Sequence, residues 1–260
     1  TEFPHRAASR QELAQQPKMH QQLRQSMVDF NIDSVAWREN IMDEDIQRLH
    51  RHYSANVSMI DQKVGQIMDC IEKQGYLDNT IVIFCSDHAD ALGEHGHIQK
   101  WTMYDCVTRV PLVFWAPDRV KQQQQCDDLV QLMDIAPTIL QFAGIDPPSN
   151  WEALAMNKML TSGCWDEQDP NEKLRDYVYA ELGRDHIQSG AEYVIMRRDN
   201  CWKYVIYPGT QDGELYYLQN DPNETENLWH DPQFLEQRKD AMIEILAWSN
   251  LGNFRGNRPL

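Results

Sequence analysis

No stretch of this sequence approaches the run of about 18 apolar residues that a membrane-spanning helix requires, and none of its segments is a candidate span. Positive charge is also scarce: 24 Lys and Arg stand against 40 Asp and Glu, a formal net charge of −16. Such a balance argues against nucleic acid or an anionic membrane as a partner, because the summed field repels both. An anionic small molecule would need a locally positive site. The six cysteines, at 70, 85, 106, 126, 164 and 201, form no C-x-x-C pair and no zinc-type spacing, so they decide no compartment. There is no internal repeat and no low-complexity tract. The polar opening, Thr1 to Arg10, carries no secretory signal, which leaves a periplasmic, secreted or cytoplasmic location open. The chain begins without Met, and we expect it to be cut from a longer one.

At 260 residues there is ample chain to bury a core, as one large domain or two. Residues 1 to 40, rich in Gln, Arg and His, read as an irregular segment with a short helix near Gln11 to Met27; His5 and His20 have no ligand partners at useful spacing. From Asp43 the pattern changes. Ile46, Leu49, Tyr53, Val57, Ile60, Val64, Ile67 and Ile71 recur at intervals of three and four, which predicts one long amphipathic helix. Acidic residues fill its first turn and Gly75 is its stop. His50 and His52 fall off the apolar stripe and read as solvent-facing. Thr80 to Cys85 then reads as a strand buried on both faces, entered by an α-to-β step of a parallel sheet, and Pro111 to Ala116 as a second buried strand. The connection between them, about 25 residues, is long for a compact domain, and long ordered loops tend to carry function.

Further on, Asp134 reads as the N-cap of a helix that tolerates Pro137 in its first turn and ends at Gly144. Pro147 to Asn150 signals a boundary, and residues 161–176 are polar and loop-like. Four short β-rich runs follow, Tyr177–Leu182, Tyr193–Arg198, Trp202–Tyr207 and Glu214–Leu218, separated by turn residues as in an antiparallel sheet. Pro232–Trp248 reads as a closing helix. We expect one unit over 1–160 and an α+β unit over 161–260.

Asp87 and His88 follow directly on the first strand, and in open α/β sheets ligands bind beyond the carboxyl ends of strands. A carboxylate and an imidazole on adjacent residues can both turn toward one ion there, since the chain has left the alternating geometry of the strand. Two donors do not complete a site, and a turn with a capping Asp is the alternative reading of the dipeptide.

The surrounding residues add more. Ser86-Asp87-His88-Ala89-Asp90, Leu92-Gly93-Glu94-His95-Gly96, Lys100-Trp101-Thr102-Met103-Tyr104-Asp105 and Arg109-Val110-Pro111 together resemble the C-terminal metal and sulfate-binding segment of type I sulfatases, in the alkaline phosphatase superfamily. Glu214-Leu215-Tyr216-Tyr217-Leu218 with Asp221-Pro222, Glu224, Asn227 and Leu228 is similar to the signature of that family's C-terminal subdomain, so the resemblance runs over roughly residues 43 to 248. It implies an α/β fold: part of an alkaline-phosphatase-like core with a mixed or parallel sheet flanked by helices, then a four-stranded antiparallel sheet and closing helix.

The same resemblance makes Asp87 and His88 ligands of a divalent cation, normally calcium, and Lys100 a contact to the sulfate oxygens. The roles suit the chemistry. A carboxylate is a hard donor for calcium, an imidazole suits manganese or iron as well, and a lysine is a compact charge for a sulfuryl group. His97, three residues before Lys100, reads either as a second residue facing the anion or as a surface histidine; His95 reads as structural. Ala89 replaces a glycine of the family, and if that glycine holds a positive φ, alanine there is strained at a cost of about 1 kcal/mol.

The family's formylglycine arises from Cys or Ser in C/S-x-P/A-x-R, and no cysteine or serine here opens that motif; Cys106-Val107-Thr108-Arg109 lacks the central Pro or Ala. The expected function is therefore the C-terminal portion of a sulfatase, working with an N-terminal half on a small sulfate ester. A phosphonate monoester or phosphodiester hydrolase using manganese, and a non-catalytic anion- or metal-binding module, are the other readings.

Overall fold

The computed structural model describes residues 8–30, 43–122, 124–163, 173–183 and 193–255, with the chain divided into two compact units between Asp118 and Arg119.

The first unit opens with α1 (Arg10–Gln15), capped by Ser9, whose Oγ accepts from Glu12 N at 3.1 Å. A single helix was expected here. Pro17 instead forces Gln16 into extended backbone and separates α1 from α2 (Lys18–Phe30). Met19, His20, Leu23, Ser26 and Met27 form the buried face of α2, with Leu23 and Met27 packed on Ile98. The long helix α3 (Asp43–Lys73) carries three acidic residues in its first turn, where they meet the positive end of the helix dipole. It stops as expected: Gly75 sits at φ 72°, donating to Glu72 O, while Tyr76 donates to Ile71 O.

After α3 come β1 (Val82–Cys85), the short helix α4 (Asp105–Thr108) and β2 (Leu112–Trp115). Two expectations change here. Among the described strands β1 has no parallel neighbour, since the chain between the strands folds back and β2 pairs with β1 antiparallel, Ile83 opposite Phe114. Nor is β1 buried on both faces: Phe84 and Val113 are exposed. The apolar run reflects a strand that needs cover, and a two-stranded sheet supplies little.

The second unit holds the 3₁₀ turn Leu132–Asp134, α5 (Ile135–Phe142), α6 (Asn157–Ser162), four strands and a final helix. The strands β3 (Val178–Gly183), β4 (Tyr193–Arg198), β5 (Trp202–Ile206) and β6 (Gly213–Tyr217) pair antiparallel in chain order, within a residue or two of the expected positions. Helix α7 (Leu235–Arg255) follows, and its Ala241 and Ile245 join Tyr204, Ile206, Leu215 and Trp229 in the core.

Asp134 does not cap α5. Its own backbone is already helical, so the carboxylate turns away from the first helical N–H groups. It accepts instead from Gln131 N and Leu154 N, both at 2.8 Å, and pairs with Arg175 at 2.5 Å. Gln131 Nε2 donates to Tyr179 O of β3 at 3.0 Å. These bonds tie residues 131–154 to the sheet, within the same compact unit.

The polar residues around β6 are structural. Glu214 accepts from Tyr207 and Tyr216 at 2.5 and 2.8 Å, and the fully buried Lys203 pairs with Glu224. Asn227 accepts from Leu215 N at 3.1 Å and donates to Gly213 O at 3.1 Å. Gly213 is obligatory, because a Cβ there would meet the Trp229 ring at 2.5 Å.

The stripe predicted on α3 is real but largely uncovered: Ile46 is buried, whereas Tyr53, Val57, Ile60 and Ile67 are exposed. Apolar surface of this kind drives association. The 260-residue chain should elute from a sizing column as larger than a monomer, and Val57→Lys with Ile60→Lys should shift it toward one. A monodisperse wild-type monomer would contradict this.

Candidate functional site

The loop between β1 and β2 brings its chemistry together by backbone bonds. Ala89 N donates to Val107 O at 2.9 Å, Ala91 N to Gln99 O at 3.0 Å and Gly93 N to His97 O at 2.8 Å, so the chain doubles back on itself. The Asp90 carboxylate accepts from both Leu92 N (3.0 Å) and Gln99 N (2.9 Å), closing the same fold-back. Leu92, His95 and Gln99 adopt positive φ, as do Gly93 and Gly96. Ala89 does not, so alanine at that position carries no left-handed strain.

The fold-back sets Lys100 beside His88, with Nζ 2.9 Å from Nε2. The opposite ring nitrogen, Nδ1, lies 2.9 Å from Ala89 O. A carbonyl can only accept and an ammonium can only donate, so Nδ1 carries the proton and the Nε2 lone pair accepts from Lys100. Metal-binding histidines show the same arrangement, a backbone carbonyl fixing the tautomer behind the ligating nitrogen. Asp87 Oδ2 is 3.5 Å from His88 Nε2, and the Asp87 side chain is 84% exposed. Its pKa is lowered, first by the His88 N–H that bonds Oδ1 at 3.0 Å, with the Lys100 charge lowering it further. A carboxylate and an imidazole nitrogen on one loop are a chemically suitable pair of donors for a divalent cation, which would take the place of Lys100 on Nε2. Arg109 is exposed at the far end of the loop.

His97 lies elsewhere. It is 1% exposed, so the surface reading is corrected: His20 and Arg24 of α2 lie against it. Its Nε2 is 3.1 Å from Arg24 Nη1, its ring meets His20 edge-on at 4.9 Å, and Nδ1 has no hydrogen-bond partner among the described residues. Burial, followed by His20, Arg24 and His95, pushes its pKa well below the ordinary value. His95 is buried as expected for a structural residue, with Nδ1 2.8 Å from Glu12 Oε1 and its ring stacked on Tyr104 at 3.7 Å. Neither Glu12, His20 nor Arg24 stood out in the sequence, since each lies more than seventy positions from its partner and no local spacing links them. His50 is also not simply solvent-facing: its Nε2 is 2.9 Å from Leu92 O.

The fold around this arrangement is shared with solved structures, one of them described as a sulfatase, from Bacteroides thetaiotaomicron, with a TM-score of 0.74. The family model for sulfatases matches residues 3–145, and that for N-sulphoglucosamine sulphohydrolase, C-terminal, matches residues 93–249. The chain belongs to the sulfatase family. An N-acetylglucosamine-6-O-sulfatase of Bacteroides thetaiotaomicron is 30% identical over 75% of this chain and 35% of its own length. An arylsulfatase of Clostridium perfringens is 28% identical over 83% of this chain and 44% of its own. The chain thus spans less than half the length of these relatives. A protein solved in complex with its substrate D-glucosamine-2-N,6-O-disulfate superposes with a TM-score of 0.71 at 26% identity, covering 83% of this chain and 42% of that one. The phosphonate monoester hydrolase of Silicibacter pomeroyi gives 0.80 at 20% identity, over 94% and 50%, a likeness of fold alone.

The buried His97 has a consequence for stability. Its folded pKa lies below the ordinary 6.5, so the unfolded chain binds a proton that the folded one excludes. Stability contributed by the neutral ring is full above that value and is lost as pH falls through and below it, by at most about 1.4 kcal/mol per pH unit. Urea unfolding between pH 7.5 and 5 should show this slope, and His97→Gln should flatten it; an unchanged slope would remove His97 as the cause.

Proposed function

We propose that this chain is the C-terminal portion of a sulfuric ester hydrolase that cleaves a sulfate ester of a sugar. One observation carries the reading: Asp87, His88 and Lys100 converge at the carboxyl end of β1, with Lys100 Nζ 2.9 Å from His88 Nε2. The relatives named for glucosamine sulfates favour a sulfated amino sugar among sulfate esters.

In this reading Asp87 and His88 hold a divalent cation, calcium by the family's habit. When bound, such an ion polarises the sulfuryl oxygens and favours their developing charge. Asp87 contributes the anionic donor, kept ionised by the His88 N–H. The Ala89 carbonyl holds the His88 tautomer that keeps the Nε2 lone pair for the ion, to which it turns when Lys100 moves to the sulfate. Lys100 neutralises a sulfate oxygen as charge builds on it, and a chain of net charge −16 makes that local positive group necessary. We assign His97 to the support of the Lys100 loop from within, through Arg24, since its ring is buried. The nucleophile comes from an N-terminal half that also completes the metal site and covers α3.

Two substitutions in the complete enzyme test this. Asp87→Ala should abolish activity and remove bound metal, measured by elemental analysis; full metal stoichiometry would sink the assignment. That analysis also separates calcium from manganese. Lys100→Ala should lower kcat/KM by at least about 100-fold with an unchanged thermal midpoint. A variant altered only in thermal stability would return Lys100 to a structural role.

A further inference from the structure

We propose that Glu94, His95 and Cys106 form a site for a thiophilic divalent cation, zinc by its donor set, made of residues other than Asp87 and His88. One nitrogen of His95, one carboxylate oxygen of Glu94 and Cys106 Sγ all lie within 4.8 Å of one another. Thiolate, imidazole and carboxylate together are the ligand types of zinc, whereas calcium takes oxygen donors only. Bonds of about 2.0–2.3 Å in a tetrahedron place ligand atoms roughly 3.5 Å apart, so the three have to draw in by little more than about 1 Å.

The surroundings favour such a site. Glu12 Oε1, itself buried, lies 2.8 Å from His95 Nδ1. A carboxylate behind an imidazole fixes the ring and raises the basicity of its other nitrogen, as it does behind zinc-bound histidines. Stacking on Tyr104 at an interplanar angle of 3° locks the ring plane further. His95 is held at φ 53°, in the left-handed region, so its backbone conformation depends on these contacts. Glu94 and Cys106 are only half-buried, which gives an ion a route in, and Cys106 is in no disulfide. Binding converts the Cys106 thiol to thiolate and releases its proton to solvent.

The position matters for the loop. Glu94 and His95 lie in the 3₁₀ turn Glu94–Gly96, and Cys106 lies in α4, with Lys100 between them. An ion bridging the two would clamp the ends of the segment that carries Lys100. The binding itself rests on the three donors alone and does not depend on the hydrolase reading.

Cobalt(II) is the probe, because a cobalt–thiolate bond has a charge-transfer absorption that oxygen and nitrogen ligands lack. Titrated into the chelator-treated chain, cobalt should develop this band to one equivalent, and zinc should abolish it. The band should be absent in Cys106→Ser, weakened at least tenfold in affinity in Glu94→Gln, and retained in Asp87→Ala and Cys85→Ser. As a measure independent of any variant, zinc should slow alkylation of Cys106 by iodoacetamide in the wild-type chain while leaving the exposed Cys85 reactive. No charge-transfer band at one equivalent, an equal band in Cys106→Ser, or unprotected Cys106 in saturating zinc would each overturn the site.

Discussion

The Asp90 carboxylate is the constraint on which the candidate site depends. A loop joining β1 to β2 has many conformations available, and ordering each residue costs on the order of 1–2 kcal/mol. By accepting from Leu92 N and Gln99 N together, Asp90 joins the outgoing and returning limbs of that loop with charge-assisted bonds. The backbone pairs Ala91 to Gln99 and Gly93 to His97 extend the closure, and Ala89 to Val107 seals its base. Lys100 reaches His88 because of this geometry. Without it the lysine would be a solvated surface charge twelve positions away from the histidine.

Beneath the loop, α1 and α2 serve as its floor. Glu12 meets His95, Arg24 meets His97, and Gln16 Nε2 donates to His95 O at 2.8 Å. Left-handed residues at 92, 95 and 99 are tolerable only where surrounding contacts over-determine them. Electrostatics follow the same division. On the outer side of the loop Asp87 is exposed and its carboxyl pKa is lowered, whereas on the inner side His97 is desolvated and its pKa is pushed well below the ordinary value.

In the second unit three buried cations are paired with carboxylates, Lys203 with Glu224, Arg175 with Asp134 and Arg197 with Glu244, and the buried Glu214 accepts from the Tyr207 and Tyr216 hydroxyls. Removing one member of such a pair is costly because the other stays behind desolvated. The signature around β6 is therefore a set of structural bonds: Asp221 accepts from Thr225 N and Glu226 N, Asn227 bridges β6 to its following turn, and Gly213 makes room for Trp229.

Local periodicity by itself determined much of this protein. The heptad-like spacing of α3, its Gly75 stop, the four strands of the second sheet and the closing helix are short-range consequences of side-chain period and turn chemistry, and so they could be read directly. The Asp87, His88 and Lys100 grouping was legible because all three lie on one loop with a dense composite pattern. Tertiary structure alone decided the rest. The partners of His95 and His97 come from helices more than seventy residues upstream, Asp134 turned from cap to buried anchor because Arg175 and Leu154 came to it, and β1 met β2 antiparallel. Such contacts depend on which surfaces the chain buries together, and no spacing along the sequence encodes that.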